Sequence, residues 1–139
     1  MNVLLIRAAA PLTVTVYHAR NEFASDGDSP YLDAAGQPSD AASEVRRVDA
    51  EAVVEFADTG ALRIDGAGEV ELENRSDANL DVRGRFQRLD ASADRGLQLA
   101  PGACWRVRLV PGQPLRIRRP SAADTWLRGL WRRWRGMRA

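Results

Sequence analysis

Residues 52–73, AVVEFADTGALRIDGAGEVELE, decide the fold class of this chain. Three runs of alternating apolar and polar residues occur in this stretch, separated by the turn sequences Asp-Thr-Gly and Asp-Gly-Ala-Gly. Successive side chains of a strand point to opposite faces, so a period of two predicts three amphipathic strands. The apolar positions that share a face are Ala52, Val54 and Phe56, then Leu62 and Ile64, then Val70 and Leu72.

The same pattern extends to both sides of this stretch. Leu12-Thr-Val-Thr-Val16 alternates after a turn at Pro11, and Val3–Ile6 predicts a separate strand before it. No helical period occurs before residue 120, and seven to nine short strands with Gly, Pro, Asn and Asp between them predict an antiparallel β-sandwich or barrel, jelly-roll or immunoglobulin-like. We expect residues 1–119 to form this domain, with a long loop at 21–43. The expected buried positions are Val54, Phe56, Leu62, Ile64, Val70, Leu72, Leu80, Val82, Phe86, Val107, Leu109 and Ile117.

Charges on the polar faces suggest how two pairs of strands align. If residues 69–73 and 80–86 form a hairpin, Glu71 lies opposite Arg83 and opposite charges face each other. In a last hairpin with Leu109 facing Leu115, the pairs are Arg108 with Arg116 and Arg106 with Arg118. Like charges directly opposite are destabilising. This stripe therefore needs either a neighbouring strand that brings carboxylates, for example Glu69, Glu71 and Glu73, or an anionic partner that covers it.

Charge divides the chain into a body and a tail. All twenty basic residues are arginine. Residues 1–119 hold 15 Arg and 18 Asp and Glu, a net charge of −3, whereas residues 120–139 hold 5 Arg and one Asp, a net charge of +4. The acidic body disfavours a nucleic-acid partner, because it would repel a phosphate backbone.

Residues 120–139 change period and predict a basic, tryptophan-rich helical arm. Ser121 can cap a helix from about residue 122 to residue 137, with Asp124 in the capping box. The expected apolar face consists of Trp126, Leu127, Leu130, Trp131, Trp134 and Met137, and Arg128, Arg132 and Arg135 lie largely away from it. Three different surfaces could bury that face: the chain's own body, another protein subunit, or a membrane surface.

Catalytic and metal-binding patterns are weak. The one histidine, His18, is far in sequence from the one cysteine, Cys104, which we expect to be buried beside Trp105. A calcium loop that starts at Asp26 would place Gln37 where a bidentate Glu belongs. Glu69, Glu71 and Glu73 have the spacing of a solvated strand face. We therefore expect no enzyme activity, no catalytic residue, no cofactor, no metal and no small-molecule substrate.

The N-terminus predicts no export signal. The apolar run at Val3–Ile6 is short, follows no basic segment and reads as a strand. No 18 consecutive residues are apolar, so a membrane span is not expected. A single cysteine excludes an intramolecular disulfide.

The segments Leu4-Leu5-Ile6, Pro11 to Tyr17, Leu62-Arg63-Ile64 and Leu80-Asp81-Val82 resemble, in their spacing, the small β-sandwich virion proteins of tailed bacteriophages. The resemblance covers about residues 1–90. It implies a structural protein that decorates or joins capsid or tail subunits in a homo- or hetero-oligomeric assembly, and it transfers no functional residue. The location that the resemblance implies is a virion, or the host cytoplasm before assembly. The helical arm would then attach the protein to its neighbours. The alternative is a bacterial accessory module that binds a membrane surface or a protein partner through the same helix.

Overall fold

The structure is a computed structural model that describes residues 1–20, 29, 31–33, 35–39, 42–90 and 98–120. Within these ranges the chain forms thirteen strands and no helix. Their bounds are β1 (Asn2–Ala8), β2 (Leu12–Tyr17), β3 (Ala19–Arg20), β4 (Tyr31–Leu32), β5 (Glu44–Val48), β6 (Glu51–Phe56), β7 (Ala61–Asp65), β8 (Gly68–Asn74), β9 (Leu80–Arg83), β10 (Phe86–Arg88), β11 (Gln98–Leu99), β12 (Cys104–Leu109) and β13 (Leu115–Arg118).

Eleven of the strands form two antiparallel sheets that pack face to face. Sheet A has the order β10-β12-β8-β1-β6, and sheet B has the order β11-β9-β13-β7-β2-β5. The short strands β3 and β4 pair with each other in a separate two-stranded ribbon. The predicted all-β architecture with antiparallel sheets is confirmed for the described residues.

One hydrophobic core lies between the two sheets, and it consists of the residues that alternation predicts. Both sheets contribute to it, for example Leu72 and Val107 from sheet A and Ile64 and Ile117 from sheet B. Leu12, Val14 and Val16 of β2 also point into this core. Of the twelve expected core residues, eleven are buried, and Phe86 is half-buried against the core at the edge of sheet A.

The connections between strands differ from those that the sequence predicts. Apart from the excursion between β2 and β5, consecutive strands of the two sheets always belong to different sheets. The turns are therefore arches that carry the chain from one sheet to the other. Both predicted hairpins are wrong: β8 and β12 lie in sheet A, whereas β9 and β13 lie in sheet B. Glu71 is consequently not a partner of Arg83.

A buried asparagine stabilises the crossover that follows β8. The Asn74 side chain is fully buried, and its Nδ2 donates to the carbonyl oxygens of Ala78 at 2.9 Å and Leu99 at 2.8 Å. Its Oδ1 accepts the backbone N–H of Ser76 at 2.8 Å. The side chain thus satisfies backbone groups that a hairpin ladder would otherwise pair. It ties residues 74–78 to the start of the 99–103 connection.

The arch at Asn74 gives a stability prediction. Asn74→Ala leaves two carbonyl oxygens and one N–H without their partners in a buried place, so the free energy of unfolding should fall by about 3 kcal/mol. Asn79→Ala is the matched control, because Asn79 is exposed and, among the described residues, its side chain donates only to Gln98 Oε1 at 3.1 Å. It should cost less than about 0.5 kcal/mol. Urea unfolding of both variants measures the difference, and equal losses would contradict the assigned role of Asn74.

Candidate functional site

On the outer face of sheet A, arginines lie opposite carboxylates. Arg106 and Arg108 on β12 lie directly opposite Glu71 and Glu69 on β8. A guanidinium nitrogen of Arg108 lies 3.2 Å from Glu69 Oε1, and one of Arg106 lies 3.6 Å from Glu69 Oε2. Arg7 on β1 adds a contact of 3.1 Å to Glu71. For Arg106 and Arg108 the prediction that a neighbouring strand supplies carboxylates is therefore confirmed.

The outer face of sheet B has the opposite arrangement. Arg116 on β13 lies directly opposite Arg63 on β7 and directly opposite Arg83 on β9. Three arginines thus form one row across three adjacent strands. Arg63 pairs with Asp65 of its own strand at 2.8 Å, and Arg83 lies 3.6 Å from Asp81. Within the described part of the chain, no carboxylate lies at ion-pair distance from Arg116.

Two further arginines extend this row into a surface that we call the arginine face: Arg63, Arg83, Arg85, Arg116 and Arg118. Arg118 lies two residues beyond Arg116 on β13 and opposite the buried Asp81. Arg85 follows β9, is exposed, and has no carboxylate partner among the described residues. With Asp65 and Asp81 counted, these residues carry a net charge of +3.

A stacked tyrosine pair borders the arginine face. Tyr17 and Tyr31 lie with ring centroids 3.6 Å apart and nearly parallel planes, and both are buried beside Ala61. Burial raises the pKa of Tyr31, and the positive charges of Arg116, Arg63 and Arg118 act in the opposite direction. The phenol of Tyr31 therefore lies within the field of three arginines. In Arg63, the hydrogen bond to Asp65 is the main cause that raises the guanidinium pKa.

A groove of about 440 Å³ lies along this surface. Its lining includes Tyr31, Gly84 and the arginines Arg83, Arg85, Arg116 and Arg118. Gly84 has a φ of +129°, and a Cβ at this position would lie 2.6 Å from the carbonyl oxygen of Pro114. A glycine is thus required where the chain leaves β9 and brings Arg85 to the groove.

The chemistry of the groove favours an oxyanion. A guanidinium group offers only hydrogen-bond donors, in a planar fork that matches a carboxylate or a phosphate, and a phenol can add a further donor. The volume lies within the range of small-molecule and peptide sites, about 300–1,000 Å³. The arrangement can hold an anionic group of a partner by several charge-assisted hydrogen bonds.

Sequence reasoning found part of this site and misplaced part of it. The predicted stripe of Arg106, Arg108, Arg116 and Arg118 is split between two sheets on opposite sides of the molecule. Arg63, Arg83 and Arg85 were missed as members of the site, because their position depends on which strands pair. Tyr31 falls in the predicted 21–43 loop. The sequence feature that could have indicated its place in the site is an aromatic residue in a polar segment.

Cys104 is not buried as predicted. Trp105 points into the core, so Cys104, its neighbour on the strand, lies on the outer face of sheet A, where its Sγ contacts Glu71 Oε1 at 3.0 Å. Desolvation, followed by the hydrogen bond to Glu71, raises the pKa of Cys104 to about 11. The thiolate is therefore scarce near neutral pH. His18 is exposed at the end of β2, in the other sheet.

The predicted attachment helix lies outside the described residues, as does the Asp26 to Asp28 triplet. The residues concerned are Trp126, Leu127, Arg128, Leu130, Trp131, Arg132, Trp134, Arg135 and Met137. The described chain ends in a fixed position, however. Arg119 donates to Asn2 Oδ1 at 2.9 Å and lies 3.0 Å from Asp77 and 3.2 Å from Asp58. The arm thus starts beside the N-terminus.

Comparisons with protein families, with curated proteins and with solved structures found no match to this chain. Among the described residues, no group of three or more His, Cys, Asp or Glu side chains is placed to hold a metal ion. In the same ranges no helix has the length and apolarity that crossing a membrane requires.

The row of arginines makes a prediction about stability. Arg116→Thr removes two like-charge contacts across strands, so it should raise the free energy of unfolding by about 0.5–1 kcal/mol at low salt. Arg108→Thr is the matched control: it makes the same exchange at an exposed strand position, but it breaks an ion pair and should lower stability by up to about 0.5 kcal/mol. Both changes should shrink in 1 M NaCl, where charges are screened. Thermal unfolding at two salt concentrations tests this, and a loss of stability in Arg116→Thr would argue against repulsion in the row.

Proposed function

We propose that this chain is a non-enzymatic attachment protein that holds an acidic segment of another protein subunit against the arginine face. One observation carries the proposal: Arg116 lies between Arg63 and Arg83, with no carboxylate partner among the described residues. Directly opposed like charges cost about 0.2–1 kcal/mol per pair relative to neutral pairs. A bound anion would turn this cost into favourable contacts.

The contrast between the two outer faces supports this proposal. Sheet A places a glutamate opposite Arg106 and another opposite Arg108, so the same chain does build complementary pairs. Sheet B instead places like charges opposite each other on three neighbouring strands, at the border of a groove. Violations of a local rule concentrate at functional sites, where stability is exchanged for binding.

A protein partner fits the arginine face better than single-stranded nucleic acid does. Proteins that bind single strands offer open aromatic faces on which bases stack. Here one face of the Tyr31 ring is covered by Tyr17, and only 8% of the residue is exposed. The net charge of −3 over residues 1–119 also opposes a long polyanion. An acidic peptide segment needs only a local positive surface.

The assembly that we propose is a virion of a tailed bacteriophage, with capsid or tail subunits as neighbours. The resemblance in strand spacing supports it, as does an all-β body of two sheets. The alternation of sheets along the chain is closer to a jelly-roll than to an immunoglobulin domain, in which strands A and B, D and E, and F and G each share a sheet. In this proposal the C-terminal helix with its three tryptophans is a second attachment element.

The alternative function is that of an accessory module on a membrane surface. Its support is the composition of residues 120–139, in which tryptophans occur with arginines. The arginine face would then meet acidic headgroups. A single oligomeric state that is indifferent to anionic vesicles favours the assembly protein, whereas co-sedimentation with the vesicles favours the accessory module.

The arginine face should bind a short oligoglutamate peptide, used as a simple acidic segment. We expect Arg116→Thr to weaken this binding about fivefold at low salt and Arg108→Thr, which removes the same charge from sheet A, to leave it within twofold. Fluorescence anisotropy with the labelled peptide measures both. If the two variants lose the same affinity, only net charge matters, and the site proposed on sheet B is wrong.

The helical arm should carry self-association or partner attachment through its apolar face. In the full-length chain, replacing Trp131 and Trp134 by alanine should reduce association more than replacing Arg132 and Arg135, because arginines at a rim mainly affect association rate and salt dependence. Size-exclusion chromatography with light scattering, with and without anionic vesicles, compares the two double variants. A monomer that ignores vesicles and loses stability in the tryptophan variant would show that the arm covers its own body.

A further inference from the structure

We propose that two copies of this chain pair edge to edge, β6 of each copy with β5 of the other, so that both sheets continue across a two-fold axis. The strands concerned form one side of the sandwich, where β6 is the edge of sheet A and β5 is the edge of sheet B. This surface is separate from the arginine face, and the inference does not depend on the proposed function.

The two sides of the sandwich differ in the length of their edge strands. At one side the edges are β10 and β11, which have three and two residues. At the other side they are β6 and β5, which have six and five residues, and each has a single neighbour among the described strands. Very short edge strands discourage pairing with another chain, whereas longer ones present a row of unpaired backbone groups. The side of β5 and β6 is therefore the one that can accept a strand.

The backbone groups that face the free edges are those of Val53 and Val45. The Val53 carbonyl oxygen points away from β1, because a guanidinium nitrogen of Arg46 binds it at 3.1 Å. The Val16 carbonyl oxygen points toward β5, where it accepts a backbone N–H at 2.8 Å. Val16 lies opposite Glu44, so Glu44 turns its backbone groups to β2 and the next residue, Val45, turns them to the free edge. Val53 and Val45 of two copies can thus exchange hydrogen bonds.

A two-fold axis parallel to the strands fixes the approximate register. Such an axis brings β5 of one copy beside β6 of the other at both seams, in the opposite directions that these consecutive strands have within one copy. The axis also keeps every residue at its height along the strands. Within one copy Arg46 reaches Val53, so residues whose numbers add up to about 99 lie at similar heights. Outward side chains have odd numbers on both strands, and they face each other only if the sum is even, for example 98 or 100.

Charge and apolar surface select the sum of 98. Val45 then lies opposite Val53, and these two valines are 66% and 44% exposed in the single chain. Arg47 lies opposite Glu51. Arg47 also contacts Asp49 of its own strand end, at a largely exposed position that leaves it available to the other copy. With a sum of 100, Asp49 would lie opposite Glu51, and like charges directly opposite are destabilising.

Arg46 keeps the pairing reversible. In the single chain its guanidinium group occupies the Val53 carbonyl oxygen and binds Glu44 at 2.9 Å. An added strand has to take this oxygen, while Arg46 retains Glu44. Inward-pointing charges of this kind restrict pairing at sheet edges. We therefore expect a dimer whose formation depends on protein concentration.

Analytical ultracentrifugation of the full-length protein over a range of concentrations tests the pairing. Glu51→Arg should raise the dissociation constant of the dimer at least about tenfold, because the contact with Arg47 occurs twice across a two-fold axis. Adding Arg47→Glu restores opposite charges and should bring the constant back to within about threefold. Glu55→Arg is the matched control: it makes the same charge change on the same exposed face, opposite Ser43, and should alter the constant less than about twofold. Thermal unfolding checks that each variant is folded.

Cross-linking tests the register. Within one copy Val45 and Val53 lie on the outer faces of different sheets, whereas between copies they lie directly opposite each other. Val45→Cys with Val53→Cys should therefore give a disulfide-linked dimer on mild oxidation. Val45→Cys with Glu55→Cys, which matches the sum of 100, is the control and should stay unlinked on a non-reducing gel. Both variants carry Cys104→Ser, because Cys104 is an exposed thiol.

The contrary outcomes are distinct. A dimer that Glu51→Arg leaves unchanged and that disappears when Trp131 and Trp134 are replaced by alanine associates through the arm alone, which would overturn the edge pairing. A chain that stays monomeric at its highest soluble concentration would overturn it as well. Equal cross-linking of the two cysteine variants would overturn the register. None of these results bears on the arginine face, which is tested by peptide binding.

Discussion

The burial of the apolar faces of the two main sheets against each other is the constraint on which the rest of this structure depends. The chain meets it by crossing from one sheet to the other at almost every turn, so that sequential strands face each other across the core. The crossing segments then need partners for their backbone groups. Asn74 supplies them at the arch after β8, where its fully buried side chain bonds to three backbone groups.

The same constraint creates the candidate site. Because consecutive strands lie in different sheets, the neighbours within a sheet come from distant parts of the sequence. β13 lies between β7 and β9 and brings Arg116 between Arg63 and Arg83. β12 joins β8 and brings Arg106 and Arg108 to glutamates. One set of arginines thereby lies opposite carboxylates and the other lies opposite arginines, although the two occur in strands of similar sequence.

Local interactions then shape the arginine face. Tyr31 belongs to the ribbon of β3 and β4. Its ring lies on that of Tyr17, next to Ala61 at the start of β7. Gly84 allows the chain to pass close to Pro114 and turn Arg85 toward the groove. Neither feature adds to the main core, which lies between the sheets. Tyr31 and Gly84 both line the groove.

The sequence by itself determined most strands of the two sheets and their inward faces, since alternation depends only on local order. It did not predict β5, and it predicted one strand over 80–86, where the structure has β9 in sheet B and β10 in sheet A. Eleven of twelve expected core residues are buried for that reason. Alternation is the same for a hairpin and for an arch, however, so it could not show which strands pair. Only the tertiary structure decided that Glu71 meets Arg106 and that Arg116 meets two arginines, because pairing depends on contacts between residues far apart in the chain.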